Sequence, residues 1–302
     1  MKVAALDLGS NTFLCLIAEV EENLITRIYE DTLEVVRLGQ DVGQTKKLHP
    51  EALFRADACL KNFKAVIDRH QPDKVLAMAT SAARDATNKE LLFAIGQKYK
   101  IPIEIIPGSE EARITFNGAM SGQADHARRL IVDIGGGSTE FIFGDSQIKH
   151  SQSLNVGCVR LTEKFVTSQP TSTFEISEIQ KTIAENFHQL SKFQEKNTFE
   201  ILAVAGTPTS LVTAEIGSFD AEKIEGSVLT QESLEKWKTF LQASTLEEKI
   251  KKGLPPGRAD VILVGVLILI ETLKYFNKDK LYVSTRGVRH GIALEVATRY
   301  LS

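Results

Sequence analysis

Two short turns in this chain place glycine, hydroxyl and carboxylate groups in the same order. The first is Asp7-Leu8-Gly9-Ser10-Asn11-Thr12. The second is Asp133-Ile134-Gly135-Gly136-Gly137-Ser138-Thr139, with Glu140 directly after it. Glycine lets an anion approach the backbone without interference from a Cβ, and such turns aim N–H groups into a concavity. The hydroxyls of Ser10, Thr12, Ser138 and Thr139 and the amide of Asn11 add donors. Taken singly, each turn reads equally as an ordinary β-hairpin connection. Their recurrence 126 residues apart, each between apolar segments, favours phosphate binding by two related α/β halves. Neither turn has the lysine of GxxxxGK[ST] or the GxGxxG-then-helix order, which disfavours a P-loop NTPase and a Rossmann dehydrogenase.

Asp7 and Asp133 end apolar strands, where an acid needs compensation. A divalent cation bridging to phosphate supplies it, and an Asx-type turn cap is the alternative. Glu140 continues the second strand, either toward such a cation or toward solvent. Magnesium suits one or two carboxylates with phosphate oxygens and water. Glu110 and Glu111 open a segment after Pro107-Gly108. Acids favour helix starts through the macrodipole, and one of this pair can instead orient or deprotonate a water. Arg84 follows a buried strand and has two readings, a phosphate clamp or an ion pair with Asp85. Arg258, Arg286, Arg289 and His290 form a basic set able to line a groove for a polyanion. Lys249, Lys251 and Lys252 alternate with acids and read as a solvated face. The six histidines show no metal-ligand spacing and read mostly as surface residues, and no Gly-x-Ser-x-Gly elbow points to a serine hydrolase.

The elements that must position these groups follow from periodicity. Residues 3–8 and 13–20 read as strands flanking the first turn, and residues 24–38 as a further β-rich run. Residues 50–70 have helical spacing, 74–80 a buried strand, 87–99 a helix and 101–108 a strand. A helix then starts with Ser109 as N-cap. Polar residues 121–129 mark the boundary between a first domain, 1–122, and a second, 123–287, with a final helix of about 288–302 packing back on the first. In the second half, 129–144 repeats strand–turn–strand. Residues 173–195 read as helix, 201–211 as a strand entering a Gly-Thr turn, 231–242 and 257–277 as helices, and 280–292 as a last strand and turn.

The 302 residues suit two domains, and 43% apolar with 25% charged residues is ordinary for a globular chain. With 36 basic against 39 acidic residues the net charge is −3, which argues against a nucleic-acid partner. Cys15, Cys59 and Cys158 are odd in number and widely spaced, which fits a reducing cytoplasm better than a disulfide framework. The N-terminus lacks signal-peptide character, and the apolar run 261–270 is too short to cross a bilayer. The sequence therefore implies a cytoplasmic protein without a membrane partner. A homodimer is the base-rate oligomer.

Seven motifs in order carry a resemblance: LDLGSNT (6–12), TSAARDATN (80–88), PGSEEARI (107–114), VDIGGGSTE (132–140), NVGCVRLTE (155–163), AGTPTSL (205–211) and PGRADVI (256–262). Together they resemble the exopolyphosphatase / guanosine pentaphosphate phosphohydrolase (Ppx/GppA) family, in a short two-domain form without the C-terminal helical domains of long members. The resemblance implies an α/β fold of two actin-like (ribonuclease H-like, ASKHA-type) domains with an active-site cleft between them. It implies magnesium-dependent removal of terminal orthophosphate from inorganic polyphosphate, with guanosine pentaphosphate hydrolysis and a link to the stringent response as the related alternative. By motif, Glu111 resembles the catalytic base, Asp133 and Glu140 the magnesium site, and Arg84 the phosphate-contacting arginine. Gly9, Ser10, Asn11 and Thr12 resemble one phosphate loop, and Gly135, Gly136, Gly137, Ser138 and Thr139 the other. Pro208 stands where the family usually has Ala, and His290 where Glu is common. An actin-like ATP-binding or kinase module and a non-catalytic polyphosphate sensor are the rival readings. The acids Glu111, Asp133 and Glu140 weigh against the sensor.

Overall fold

The computed structural model describes residues 1–121, 123, 127–193 and 199–301. The chain divides into two compact units, residues 1–123 with 286–302, and residues 124–285. The boundary expected within 121–129 falls partly on residues 122 and 124–126, outside the described residues.

The first unit runs β1 (Lys2–Leu8), β2 (Thr12–Glu21), β3 (Leu24–Val35), α1 (Val42–Thr45), α2 (Pro50–His70), β4 (Lys74–Ala79), α3 (Ser81–Asp85), α4 (Glu90–Lys98), β5 (Ile103–Ile105) and α5 (Gly108–Met120). The second runs β6 (Arg129–Ile134), β7 (Thr139–Gly144), β8 (Ile148–Leu154), α6 (Cys158–Phe165), α7 (Thr173–Phe187), β9 (Glu200–Val204), α8 (Gly206–Ile216), α9 (Ala221–Ile224), β10 (Val228–Thr230), α10 (Gln231–Ala243), α11 (Leu246–Lys251), α12 (Ile262–Tyr275) and β11 (Lys280–Val283). The chain then returns to the first unit as α13 (Val288–Leu301).

The two sheets repeat one plan. Their orders are β3-β2-β1-β4-β5 and β8-β7-β6-β9-β11, the latter extended by β10 at its edge. In each, the first three strands are antiparallel neighbours and the remaining central pairings are parallel. This is the duplicated mixed α/β layout that the repeated turns imply. β1 is apolar on both faces because both are covered. Ala4, Leu6 and Leu8 pack with Phe63 and Leu60 of α2, and Val3 and Ala5 with Ile292 and Val296 of α13. The second unit has one large core, to which α12 contributes buried residues Ile262–Ile270. No described helix is long and apolar enough to cross a membrane.

Several local expectations change. Ser109 is not the N-cap of α5: Pro107 holds that position, and its carbonyl accepts from the N–H groups of Glu110 and Glu111 at 3.0 Å. The strand read over 101–108 contracts to three residues, and α4 and α12 begin later than their apolar spacing suggests. The strand read over 201–211 stops at Val204, and Gly206 opens α8. Residues 280–292 hold only four strand residues before α13. α7 ends at Phe187 and a 3₁₀ segment follows to Phe193, while residues 194 and 195 lie outside the described residues. The sequence reading omitted β8 and α6. The segment IKHSQSL is too polar to signal a strand, and tertiary pairing with β7 makes it one.

Candidate active site

In the first unit, three connections emerge at the carboxyl ends of adjacent parallel strands. Leu8, Ala79 and Ile105 lie side by side across β1, β4 and β5. The turn 9–12 follows the first, Arg84 the second and Glu111 the third, an arrangement that open α/β sheets use for ligands. The turn is closed by Gly9 N–H donating to Thr12 O at 3.1 Å. Its carbonyls face the segment after β3: Asn11 O accepts from Val36 and Arg37, and Ser10 O from Gly39 at 2.7 Å. Ser10 Oγ accepts from the Ala82 N–H at 3.1 Å, tying the turn to α3.

Glu111 is buried, whereas Glu110 is half-exposed and bonded to Arg113 at 2.6 and 3.0 Å. The two acids of the helix start therefore separate, and only Glu111 turns inward. Arg84 Nη1 donates to Glu111 Oε2 at 3.0 Å and to Ile106 O at 3.0 Å. Arg84 thus forms an ion pair with Glu111. Burial pushes the Glu111 carboxyl above the ordinary range, and Arg84, with a hydrogen bond from Thr80, opposes that rise. A carboxylate raised this way is a stronger base than an exposed one, which suits proton acceptance from a water.

The second unit repeats the turn. Gly135 N–H donates to Ser138 O at 2.9 Å, matching position for position the closure at Gly9. Here the carbonyls face the start of α6. Gly135 O accepts from Cys158, Gly136 O from Val159 and Arg160, and Gly137 O from Arg160 Nε at 2.7 Å. The amides of the helix start are thereby engaged in holding the turn. Gly157 is required by this approach, since a Cβ there would lie 2.4 Å from Gly136 O. Ser138 and Thr139 are buried, and Thr139 Oγ1 donates to Val156 O at 2.5 Å.

Asp133 and Glu140 are direct partners in the β6–β7 ladder, so their side chains share one face of the sheet. Both are buried, which corrects the solvent-facing alternative for Glu140, and Glu140 Oε1 accepts from Ser153 Oγ at 2.7 Å. In the first unit the position corresponding to Glu140 is Leu14, opposite Asp7. Only the second turn carries an acid pair. Two hard oxygen donors on one face fit magnesium, which fills its remaining positions with water and phosphate oxygens. Among the described residues no cluster of three or more His, Cys, Asp and Glu forms a fuller protein cage.

The basic set is divided between the two units, with Arg286, Arg289 and His290 in the first and Arg258 in the second. Arg289 makes a bidentate pair with Asp31 at 2.8–3.1 Å, and Arg286 donates to Ser121 Oγ at 3.3 Å, both within the first unit. His290 is buried, contrary to the surface reading, and its Nδ1 accepts from Gly287 N–H at 3.4 Å. Burial pulls its pKa well down, and Arg289 and Arg286 add to the effect. Lys249 is fully buried, which overturns its place on a solvated face. Arg258 belongs to the second unit and lies over the β9–α8 turn, where a Cβ on Gly206 would meet its guanidinium. Ala205 in that turn adopts φ 70°, a region in which non-glycine residues are strained by about 1–3 kcal/mol. Sequence reasoning missed Gly157, Arg160 and the fit of Arg258 to Gly206. The first two lie in NVGCVRLTE, where glycine ahead of a helix was the available signal.

Comparison with known proteins matches residues 16–300 to the family described as the Ppx/GppA phosphatase family. A bifunctional 3-dehydroquinate synthase/phosphatase of Fusobacterium nucleatum is 39% identical over 97% of this chain. The match spans 46% of that relative's length, so the chain covers about half of it. An exopolyphosphatase 2 of Mycobacterium tuberculosis is 32% identical over 98% of both chains. Among solved structures, the crystal structure of an exopolyphosphatase-like protein matches with TM-score 0.92 and 31% identity, covering 100% of this chain and 99% of its own.

Proposed function

Given that the chain belongs to the Ppx/GppA phosphatase family, we propose that it hydrolyses the terminal phosphoanhydride bond of inorganic polyphosphate, releasing orthophosphate. The family makes it a hydrolase of phosphoanhydride bonds. The observation that carries the reading is Glu111, a buried carboxylate bound to Arg84 beside the 9–12 turn's anchoring helix.

In this mechanism Glu111 aligns a water for in-line attack on the terminal phosphorus and accepts its proton. The transition state of such transfers is loose, so positioning and charge neutralisation carry most of the catalysis. Arg84 contacts a phosphoryl oxygen while holding the Glu111 carboxylate in place. The N–H groups of residues 10–11 and 136–138 and the hydroxyls of Ser10, Thr12 and Ser138 bind phosphate oxygens, while the Gly9 and Gly135 N–H groups and the Thr139 hydroxyl hold the turns in shape. Asp133 and Glu140 would hold magnesium, which supplies charge neutralisation at the phosphates.

The test is release of orthophosphate from polyphosphates of defined length, with magnesium and with it chelated, against guanosine pentaphosphate under the same conditions. Faster magnesium-dependent release from polyphosphate is the expected result. Preference for guanosine pentaphosphate would transfer the same chemistry to that substrate, and release from neither would overturn the reading.

A further inference from the structure

Arg55, on α2, has no part in the mechanism above. Its Nε donates to Val36 O at 2.7 Å, and its Nη2 to Gln40 Oε1 at 2.7 Å and to Arg37 O at 3.5 Å. Among the described residues its polar partners are these amide oxygens and no carboxylate. The residues it grips are the ones that hold the first glycine turn. The N–H groups of Val36 and Arg37 both donate to Asn11 O, at 3.0 and 2.8 Å, and the Gly39 N–H donates to Ser10 O at 2.7 Å. The segment lies close against the turn, since a Cβ on Gly39 would stand 3.1 Å from Ser10 Cβ.

The Val36 carbonyl and the Arg37 N–H belong to one planar peptide group. Arg55 therefore holds one edge of the same plane whose other edge donates to Asn11 O. A bond from a charged donor is stronger than one from a neutral donor, and it polarises the amide that passes the bond on. Arg37 also has φ 53°, a left-handed conformation that a residue with a side chain keeps only where its surroundings fix it. The rigid guanidinium fork, bonded to oxygens at Val36, Arg37 and Gln40, supplies that fixing. The whole path lies within the first unit.

We propose that Arg55 is a positioning residue: its guanidinium fixes residues 36–40, and through the 36–37 peptide and the Gly39 N–H it sets the backbone of the 9–12 turn for binding polyphosphate oxygens. The proposal rests on the reading of that turn as a phosphate site.

Arg55→Met, which keeps the apolar stem and removes the fork, tests it with two readouts. The amides of Val36, Arg37 and Gly39 are expected to exchange with deuterium about tenfold faster, resolved by NMR. KM for a defined polyphosphate is expected to rise about tenfold with kcat within about twofold, the pattern of lost substrate binding. Arg55→Lys, with a single donor head for Val36 O, is expected to recover part of both. Ile67→Ala, a core truncation further along α2, separates this from mere loss of stability. It is expected to lower the thermal midpoint and leave KM at the parent value. Gln40→Leu removes an acceptor of the same fork, so it gives the answer if Arg55→Met does not fold. Parent-like exchange at these three amides, or parent-like KM, in the folded variant overturns the proposal, as does a KM raised equally by Ile67→Ala. If the parent protein releases no phosphate from any substrate, the functional reading fails, while the exchange of the three amides still decides whether Arg55 holds the turn.

Discussion

In the proposed mechanism the Glu111–Arg84 ion pair sets the pH range of the reaction. Desolvation raises the Glu111 pKa and Arg84 restrains the rise. Proton acceptance needs the ionised form, so phosphate release should climb with pH through a value above the ordinary carboxylate range. Arg84→Met removes the restraint and should move this acid limb further up, as a pH profile of kcat/KM will show. Glu111→Gln should leave a folded protein slowed by about 10²–10⁴-fold in phosphate release. The linkage has a definite sign. A carboxyl whose folded pKa is raised stabilises the fold below its ordinary value of 4.5 and loses that contribution as pH climbs through the raised value. Unfolding midpoints of Glu111→Gln and the parent should therefore shift in the variant's favour as pH rises from 4.5 to neutrality. The type of residue at 111 was legible from Glu-Glu after a Pro-Gly turn. Which of the two acids turns inward was not, because the Pro107 cap sets the phase of α5 and no residue pattern fixes that phase.

At the level of elements, each glycine turn is shaped by a segment that follows the strand pair. Residues 36–39 take the carbonyls of the first turn, and the start of α6 takes those of the second. With those carbonyls already accepting hydrogen bonds, the proposed mechanism leaves anion binding to the N–H groups in the middle of each turn. Gly157→Ala tests this directly. Its Cβ would lie 2.4–2.6 Å from backbone atoms of Gly136 and Gly137, which cannot swing aside as a side-chain end would. Overpacking of this kind costs about 1–3 kcal/mol. A drop of about 2–4 °C in thermal midpoint per kcal/mol should accompany it, with KM for polyphosphate raised. The turns themselves were visible in the sequence as glycine and hydroxyl clusters between apolar runs. Their supports were not, since 36–39 and 157–160 are neither periodic nor close in sequence to the turns they hold.

For the whole molecule, the path of the chain assigns α13 to the first unit although it follows the second in sequence. Val288, Ile292, Leu294 and Val296 are buried against Val3, Ala5, Leu16 and Met78. At about 1.5–3 kcal/mol for each large side chain, their loss rivals the roughly 5–15 kcal/mol total stability of a domain. A fragment of residues 1–123 should therefore fail to unfold cooperatively in urea, and covalent addition of residues 286–302 should restore the transition. A fragment of residues 124–285, which keeps its own core, should unfold cooperatively by itself. What the sequence alone determined is the duplicated α/β plan, because strand periodicity and turn chemistry are local and occur twice in the same order. It also determined the identities of the acids and hydroxyls at the turns. Only the tertiary structure decided that Glu111 rather than Glu110 is buried, that Glu140 faces Asp133 across a ladder, and that Lys249 lies inside. Burial and pairing are made by segments distant along the chain, and their effect on a charged group depends on neighbours that no local spacing encodes.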